Sequence, residues 1–325
     1  MNHVNYNLLF SGLFGLGSSD KQSKLKQTSD QPTLYILKNS DNSCVEDQPT
    51  PPFHEFAIES FNEALDTLLN RSKPTDTIIF YIHGRAAGEL PEAHKSLRTV
   101  MPYLEKDINA KVLMFYWPDA GKGGADGFPE DEARATGHAL GLAISKFQQY
   151  RQAHFDKFLN RKTVLLAHSM GSLVFEEFVK KYQTPSLDKE LFDTLLLSSS
   201  ASATKDHAEW LEKVKISNGI YVTVNDNDFV LTAAGMKEKK GRLGKKLETL
   251  IGGKVTLASN AKYVNLDKSG VEGHRIFIGK NLKSNPNVDK FFENILSGQA
   301  IDLNGFPGIK DIKSRDGTNI YFFEE

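Results

Sequence analysis

Short, uncharged apolar runs alternate along the chain with segments whose apolar residues recur every three or four positions. Residues 77–82 read Thr-Ile-Ile-Phe-Tyr-Ile, a β-rich string with no solvent-facing side, as expected of a parallel strand buried on both faces. Residues 89–107 put Leu90, Ala93, Leu97, Val100, Met101 and Leu104 on one stripe and predict a covering helix. A strand follows over 111–117, ended by Pro118 and the Gly-rich stretch 121–127, and a long helical pattern covers 131–158. The rhythm continues with a strand at 163–167, a helix at 173–182, strands at 193–197, 220–224 and 262–266, and a late helix at 285–296. This alternation predicts an α/β fold with a mostly parallel central sheet and helices on both faces.

The pattern starts near Asp76, so residues 1–75 are expected as an N-terminal extension, partly disordered or docked, followed by an α/β domain at 76–298 and a C-terminal tail at 299–325. Within the extension, Asp-Gln-Pro-Thr-Pro-Pro at 47–52 reads as an extended linker because each proline blocks helix. No internal repeat is visible.

Composition narrows the function. Forty Lys and Arg stand against 41 Asp and Glu, a formal net charge of −1, which leaves no basic field to recruit nucleic acid or anionic lipid. The lone cysteine, Cys44, allows neither an intrachain disulfide nor a thiolate metal cage. The apolar runs fall short of the ~20 residues that a membrane-spanning helix needs. The apolar patch at 8–14 is short and no Lys or Arg precedes it, so it is read as non-secretory and the protein as cytoplasmic.

The most informative residues are Ala167-His168-Ser169-Met170-Gly171, placed between a predicted strand and a predicted helix. A nucleophile on such a sharp turn needs small residues two positions to either side, and Ala167 and Gly171 meet that need, with Ala where Gly is commoner. The turn would expose the Ser169 hydroxyl at a helix N-terminus, with the Met170 N–H as one oxyanion donor. His83-Gly84-Arg85, after an earlier strand, is placed to supply the second from the N–H of Arg85. Serine needs a base held by a carboxylate. In the order Ser, acid, His, position selects His274, the only histidine beyond His207. Asp226 and Asp228 both follow the 220–224 strand; Asp228 is preferred because Phe229, Val230 and Leu231 can anchor its loop, with Asp226 the alternative. His168 and His83 are read as packed or hydrogen-bonding residues. No metal-ligand spacing occurs, and the Gly-rich stretch lacks the Lys-Ser/Thr ending of a phosphate loop, so neither metal nor nucleotide cofactor is expected.

Over roughly residues 76–296 the chain resembles the α/β-hydrolase superfamily. Phe80-Tyr81-Ile82-His83-Gly84, Phe115-Tyr116-Trp117-Pro118-Asp119-Ala120-Gly121, Ala167-His168-Ser169-Met170-Gly171 and Gly273-His274 are similar to an uncharacterised bacterial serine-hydrolase branch whose strand ends in Trp-Pro before a Gly-rich loop. The resemblance implies a Ser169, Asp228, His274 triad, with Asp228-Phe229-Val230-Leu231 matching the acid-then-Leu pattern. The N-terminal extension and the basic stretch 237–246 fall outside it.

The expected function is a cofactor-free serine hydrolase that cleaves a carboxylic ester, small or lipid, through an acyl-enzyme. Binding walls are expected from 86–90, 119–127 and a flap at 229–243. One alternative is a membrane-acting phospholipase or toxin that uses Phe10, Phe14 and the stretch 237–246 as its contact surface. Another is a non-catalytic protein that uses the same cleft for binding. The stretch 237–246 itself, with six basic residues, reads first as a solvated helix or flap.

Overall fold

The computed structural model describes residues 31–38, 53–85, 99–119, 128–238, 241–245, 255–279, 282–314 and 317–323. They contain one ten-stranded sheet built from β1 (Thr33–Leu37), β2 (Phe53–Ala57), β3 (Thr77–Ile82), β4 (Ala110–Tyr116), β5 (Thr163–His168), β6 (Phe192–Ser198), β7 (Ser217–Val224), β8 (Ala261–Asn265), β9 (Ile309–Lys313) and β10 (Asn319–Phe323). The spatial order is β2-β1-β4-β3-β5-β6-β7-β8-β10-β9. From β4 through β8 to β10 every neighbouring pair is parallel; β1 is antiparallel to β2 and β4, and β9 to β10. The α/β class with a mostly parallel sheet is therefore the one observed.

Alternate residues of β3 serve opposite faces, as the period of a strand requires. Ile78, Phe80 and Ile82 join a core with Leu65 of α1 (Phe61–Asn70), Phe147 of α4 (Gly137–Ala153), Phe175 of α6 (Gly171–Lys181) and Trp210 of α7 (His207–Leu211). Ile79 and Tyr81 join a second core with Leu104 of α2 (Met101–Asp107) and Phe292 of α9 (Pro286–Leu296). Two cores, one on each face, account for strands without a polar side.

The sheet runs past both expected boundaries. β1, β2 and α1 lie in the segment expected as an extension, and β9 and β10 in the segment expected as a tail. The long helical pattern at 131–158 is split into α3 (Glu130–Ala135), α4 and α5 (Phe155–Phe158). The first break falls at Thr136, whose hydroxyl donates to the Glu132 carbonyl (2.8 Å), and Gly137 then passes so close to α6 that a Cβ would stand 2.8 Å from Cγ of Glu177. Of the helix expected at 89–107, residues 101–107 are helical, while 86–98 lie outside the described residues. Among the described residues no helix is long and apolar enough to cross a membrane.

Candidate active site

The C-terminal ends of β3, β5, β6 and β7 meet along one edge of the sheet, where parallel α/β folds place their ligands. Ser169 follows β5 directly, with φ at +53°, a left-handed conformation that side-chain-bearing residues seldom adopt. Its main chain is held on both sides. The Ser169 N–H donates to the Ser198 carbonyl (3.0 Å), and its own carbonyl accepts from the Ala201 N–H (3.2 Å) and the Ser172 hydroxyl (2.7 Å). Gly171 opens α6 against β3: a Cβ there would stand 2.5 Å from the Ile82 oxygen. Ala167, the other small residue, is fully buried at the end of β5.

The Ser169 Oγ lies 2.8 Å from Nε2 of His274, and Nδ1 of His274 lies 2.7 Å from Oδ2 of Asp228. Asp228 is fully buried, and its second oxygen accepts the Leu231 N–H (3.0 Å), so the carboxylate also caps the first turn of α8 (Phe229–Glu238). This bond and the Nδ1–H of His274 fix both carboxylate oxygens. Asp226 is held through its main chain. Its N–H donates to the Asp267 carboxylate, and its carbonyl accepts from the Lys245 ammonium.

The loop that carries His274 is tied to the strand ends by Asn225 and Ser199, which the sequence did not single out, and by His168, which it read as a packed or hydrogen-bonding residue. Asn225, buried after β7, donates from Nδ2 to the carbonyls of Val271 (3.3 Å) and Gly273 (3.5 Å). Ser199, after β6, donates from its hydroxyl to the His274 carbonyl (2.8 Å), and Nε2–H of His168 donates to the same oxygen (3.2 Å). Gly273 takes φ +99°, which glycine adopts without strain, immediately before His274.

His83 locks the turn that leads to Arg85. The Trp117 N–H donates to Nε2 of His83 (3.1 Å), so the proton sits on Nδ1 and is donated to the Gly84 carbonyl (2.6 Å). The Trp117 indole N–H donates to the His83 carbonyl (2.8 Å), and the imidazole is stacked between Tyr116 and Trp117. Burial keeps His83 below the usual histidine range, against the opposing pull of Asp119. The Trp-Pro strand end noticed in the sequence thus secures the neighbouring turn. Arg85 places its guanidinium 4.4 Å from the centre of the Phe128 ring, and burial lowers its pKa. Met170 stands as the cap residue before α6, at that helix's N-terminus. His168 is buried beside His274, and burial, with the nearby His274 and Arg275, holds it far below the usual histidine range.

The basic stretch is not a solvated flap where it is described. Residues 229–238 form α8, and 241–245 lie as a strap across the ends of β6 and β7. The Leu243 and Gly244 N–H groups donate to the Ser202 (2.8 Å) and Ser200 (3.0 Å) carbonyls, and the Asn225 N–H donates to the Gly244 carbonyl (3.0 Å). Arg242 is buried; its Nη1 pairs with Glu130 (2.7 Å) and donates to the Ala201 carbonyl (2.6 Å). An uncovered row of strand-end carbonyls draws this strap in, which a count of charges does not reveal. The binding walls expected at 86–90 and 120–127 lie outside the described residues. Among the described residues no three His, Cys, Asp or Glu side chains converge to hold a metal.

No family model and no curated protein matches the sequence. Solved structures overlap it at low score. A cold-adapted esterase from an Arctic intertidal metagenomic library has a TM-score of 0.37 and 11% identity over 68% of this chain and 83% of its own. An α/β serine hydrolase without a lid from Xanthomonas campestris gives 0.37 and 13% over 67% and 81%. Esterase 2 of Thermogutta terrifontis gives 0.36 and 13% over 71% and 88%.

Proposed function

We propose that the protein is a serine hydrolase that cleaves a carboxylic ester through an acyl-enzyme. One observation carries the reading: the unbroken chain from Ser169 Oγ to His274 (2.8 Å) to the buried Asp228 (2.7 Å), set on a strand-turn-helix elbow. Ser169 attacks the ester carbonyl carbon while His274 Nε2 takes its proton. Asp228 keeps the other ring proton on Nδ1 and stabilises the imidazolium. The N–H groups of Arg85 and Met170 receive the oxyanion, the second at the positive end of α6. Protonated His274 then gives its proton to the leaving alkoxide, and a water activated by the same base releases the acid.

Within the ester class a lipid ester is favoured by Phe229 and Val230, which are 79% and 42% exposed directly after Asp228, where an acyl chain can lie against them. A fluorophosphonate probe tests the reading. Stoichiometric labelling that disappears in Ser169→Ala supports it; folded wild-type protein that takes no label supports a non-catalytic binding role. A series of p-nitrophenyl esters of rising chain length, with and without Phe229→Ser, tests the lipid assignment: equal turnover of short and long esters in both proteins removes it.

A further inference from the structure

Two hydrogen-bond donors converge on the main-chain oxygen of the residue that carries the base. The Ser199 hydroxyl donates to the His274 carbonyl at 2.8 Å and the His168 imidazole to the same atom at 3.2 Å. Both donors are buried, and each stands at the end of a central parallel strand, β5 for His168 and β6 for Ser199. We propose that His168 and Ser199 are positioning residues that fork onto the His274 carbonyl and set the base against Ser169. This inference rests on the serine-hydrolase reading above.

The fork has the marks of a device for aiming one residue. Residues 267–279 contain no strand or helix, so the His274 backbone is placed by what grips it rather than by a ladder of its own. Asn225 grips the carbonyls of Val271 and Gly273, and the fork grips the next one along, at the base itself. Ser199 reaches this oxygen with φ at +48°, outside the ordinary range for a serine. His168 adds a second contact: its ring centre lies 4.8 Å from that of His274 and 5.3 Å from that of Phe277, so it walls the imidazole as well as holding its carbonyl. On its other side the ring faces Gly84, where a Cβ would come within 2.9 Å of Nδ1. His168 therefore spans the turn leading to Arg85 and the loop of the base, and it precedes the nucleophile in sequence. A phenylalanine would fill the same volume but leave the carbonyl without this donor.

The test compares wild type with Ser199→Ala, His168→Phe, His168→Gln and the Ser199→Ala/His168→Phe double variant. Fluorophosphonate labelling rates and kcat and KM on a short p-nitrophenyl ester are the kinetic readouts. The low-field proton resonance of the Nδ1–H shared by His274 and Asp228 reports the base directly. The expected result is a loss of roughly 10-fold in labelling rate and kcat for each single variant and a larger loss for the pair that is not the product of the two, because both donors share one oxygen, with KM unchanged. The proton resonance should shift or broaden, and His168→Gln, which retains an N–H donor, should recover most of the rate. Folded variants that label at the wild-type rate with an unmoved resonance overturn the fork. If His168→Phe does not fold, Ser199→Ala decides by the same two readouts. Wild-type protein that takes no label overturns the hydrolase reading itself, a result distinct from failure of the fork alone.

Discussion

A methyl group on Gly84 would stand 2.8 Å from Cβ of Ser169 and 2.9 Å from Nδ1 of His168. The turn that carries Arg85 therefore rests directly on the elbow, and only a residue without a side chain permits that approach. Gly84→Ala is expected to lift the Arg85 N–H away from the nucleophile and cut kcat by roughly 100- to 1,000-fold, the usual effect of losing one oxyanion donor. Gly171→Ala meets main chain instead, 2.5 Å from the Ile82 oxygen, and should also destabilise the fold by about 1–3 kcal/mol. Thermal unfolding beside ester turnover separates the two; wild-type turnover in Gly84→Ala contradicts the oxyanion assignment.

Replacing Asp228 by asparagine should lower kcat by about four orders of magnitude, because an amide NH₂ facing Nδ1 favours the wrong tautomer of the base. Asp226→Asn should stay near wild type, since it is Asp228 whose carboxylate meets Nδ1 of His274. Steady-state kinetics on one ester checks the ranking, and the opposite order would reassign the acid.

Three buried histidines link stability to acid. Burial lowers the pKa of His83, His168 and His207 below the ordinary histidine value of about 6.5. Below that value the unfolded chain binds protons that the folded chain refuses, so stability falls as pH falls through this window and is unaffected by these groups above it. Each such group adds a slope of up to about 1.4 kcal/mol per pH unit. Denaturant unfolding of His207→Gln between pH 4 and 7, a range taken from the usual histidine titration window of about 6.5 and below, should show a shallower acid slope than wild type. An unchanged slope would mean that His207 titrates normally in the fold.

Arg242 and Glu130 join the strap to α3. Arg242→Ala leaves a mostly buried carboxylate without this partner and frees the Ala201 carbonyl, so a loss of about 3–5 kcal/mol is expected. Glu130→Gln, which keeps an acceptor oxygen, should cost less. Urea unfolding measures both, and a neutral Arg242→Ala would show that the strap is held by its main chain alone.

The central strands and the meeting of Ser169, His274 and Asp228 were legible because strong local rules and chain order point to them: two-sided burial leaves uninterrupted apolar strings, and a tight turn demands small flanking residues. Edge strands obey no such rule. In β2 (Phe-His-Glu-Phe-Ala) and β9 (Ile-Lys-Asp-Ile-Lys) every residue is exposed or half-buried, so their polar positions read as loop and both outermost strands were missed. Ser199 and Asn225 were hidden for a different reason. Each lies in a polar string at the end of a strand, Ser198-Ser199-Ser200 and Asn225-Asp226-Asn227-Asp228, where composition marks a loop but does not say which member reaches the His274 loop. That choice is made by the His274 loop, which folds back from about 50 to 75 positions downstream and offers its carbonyls.

β10 pairs in parallel with β8, through Ile320 and Tyr263, yet it is translated after His274. While a ribosome is still making the residues between them, β8 has a bare edge and the segment leading to the base lacks its outer neighbour. The elbow, whose supports come from β3, β5 and β6, is complete earlier. The Ser169 turn thus has its supports while one edge of β8 still waits for residues 319–323.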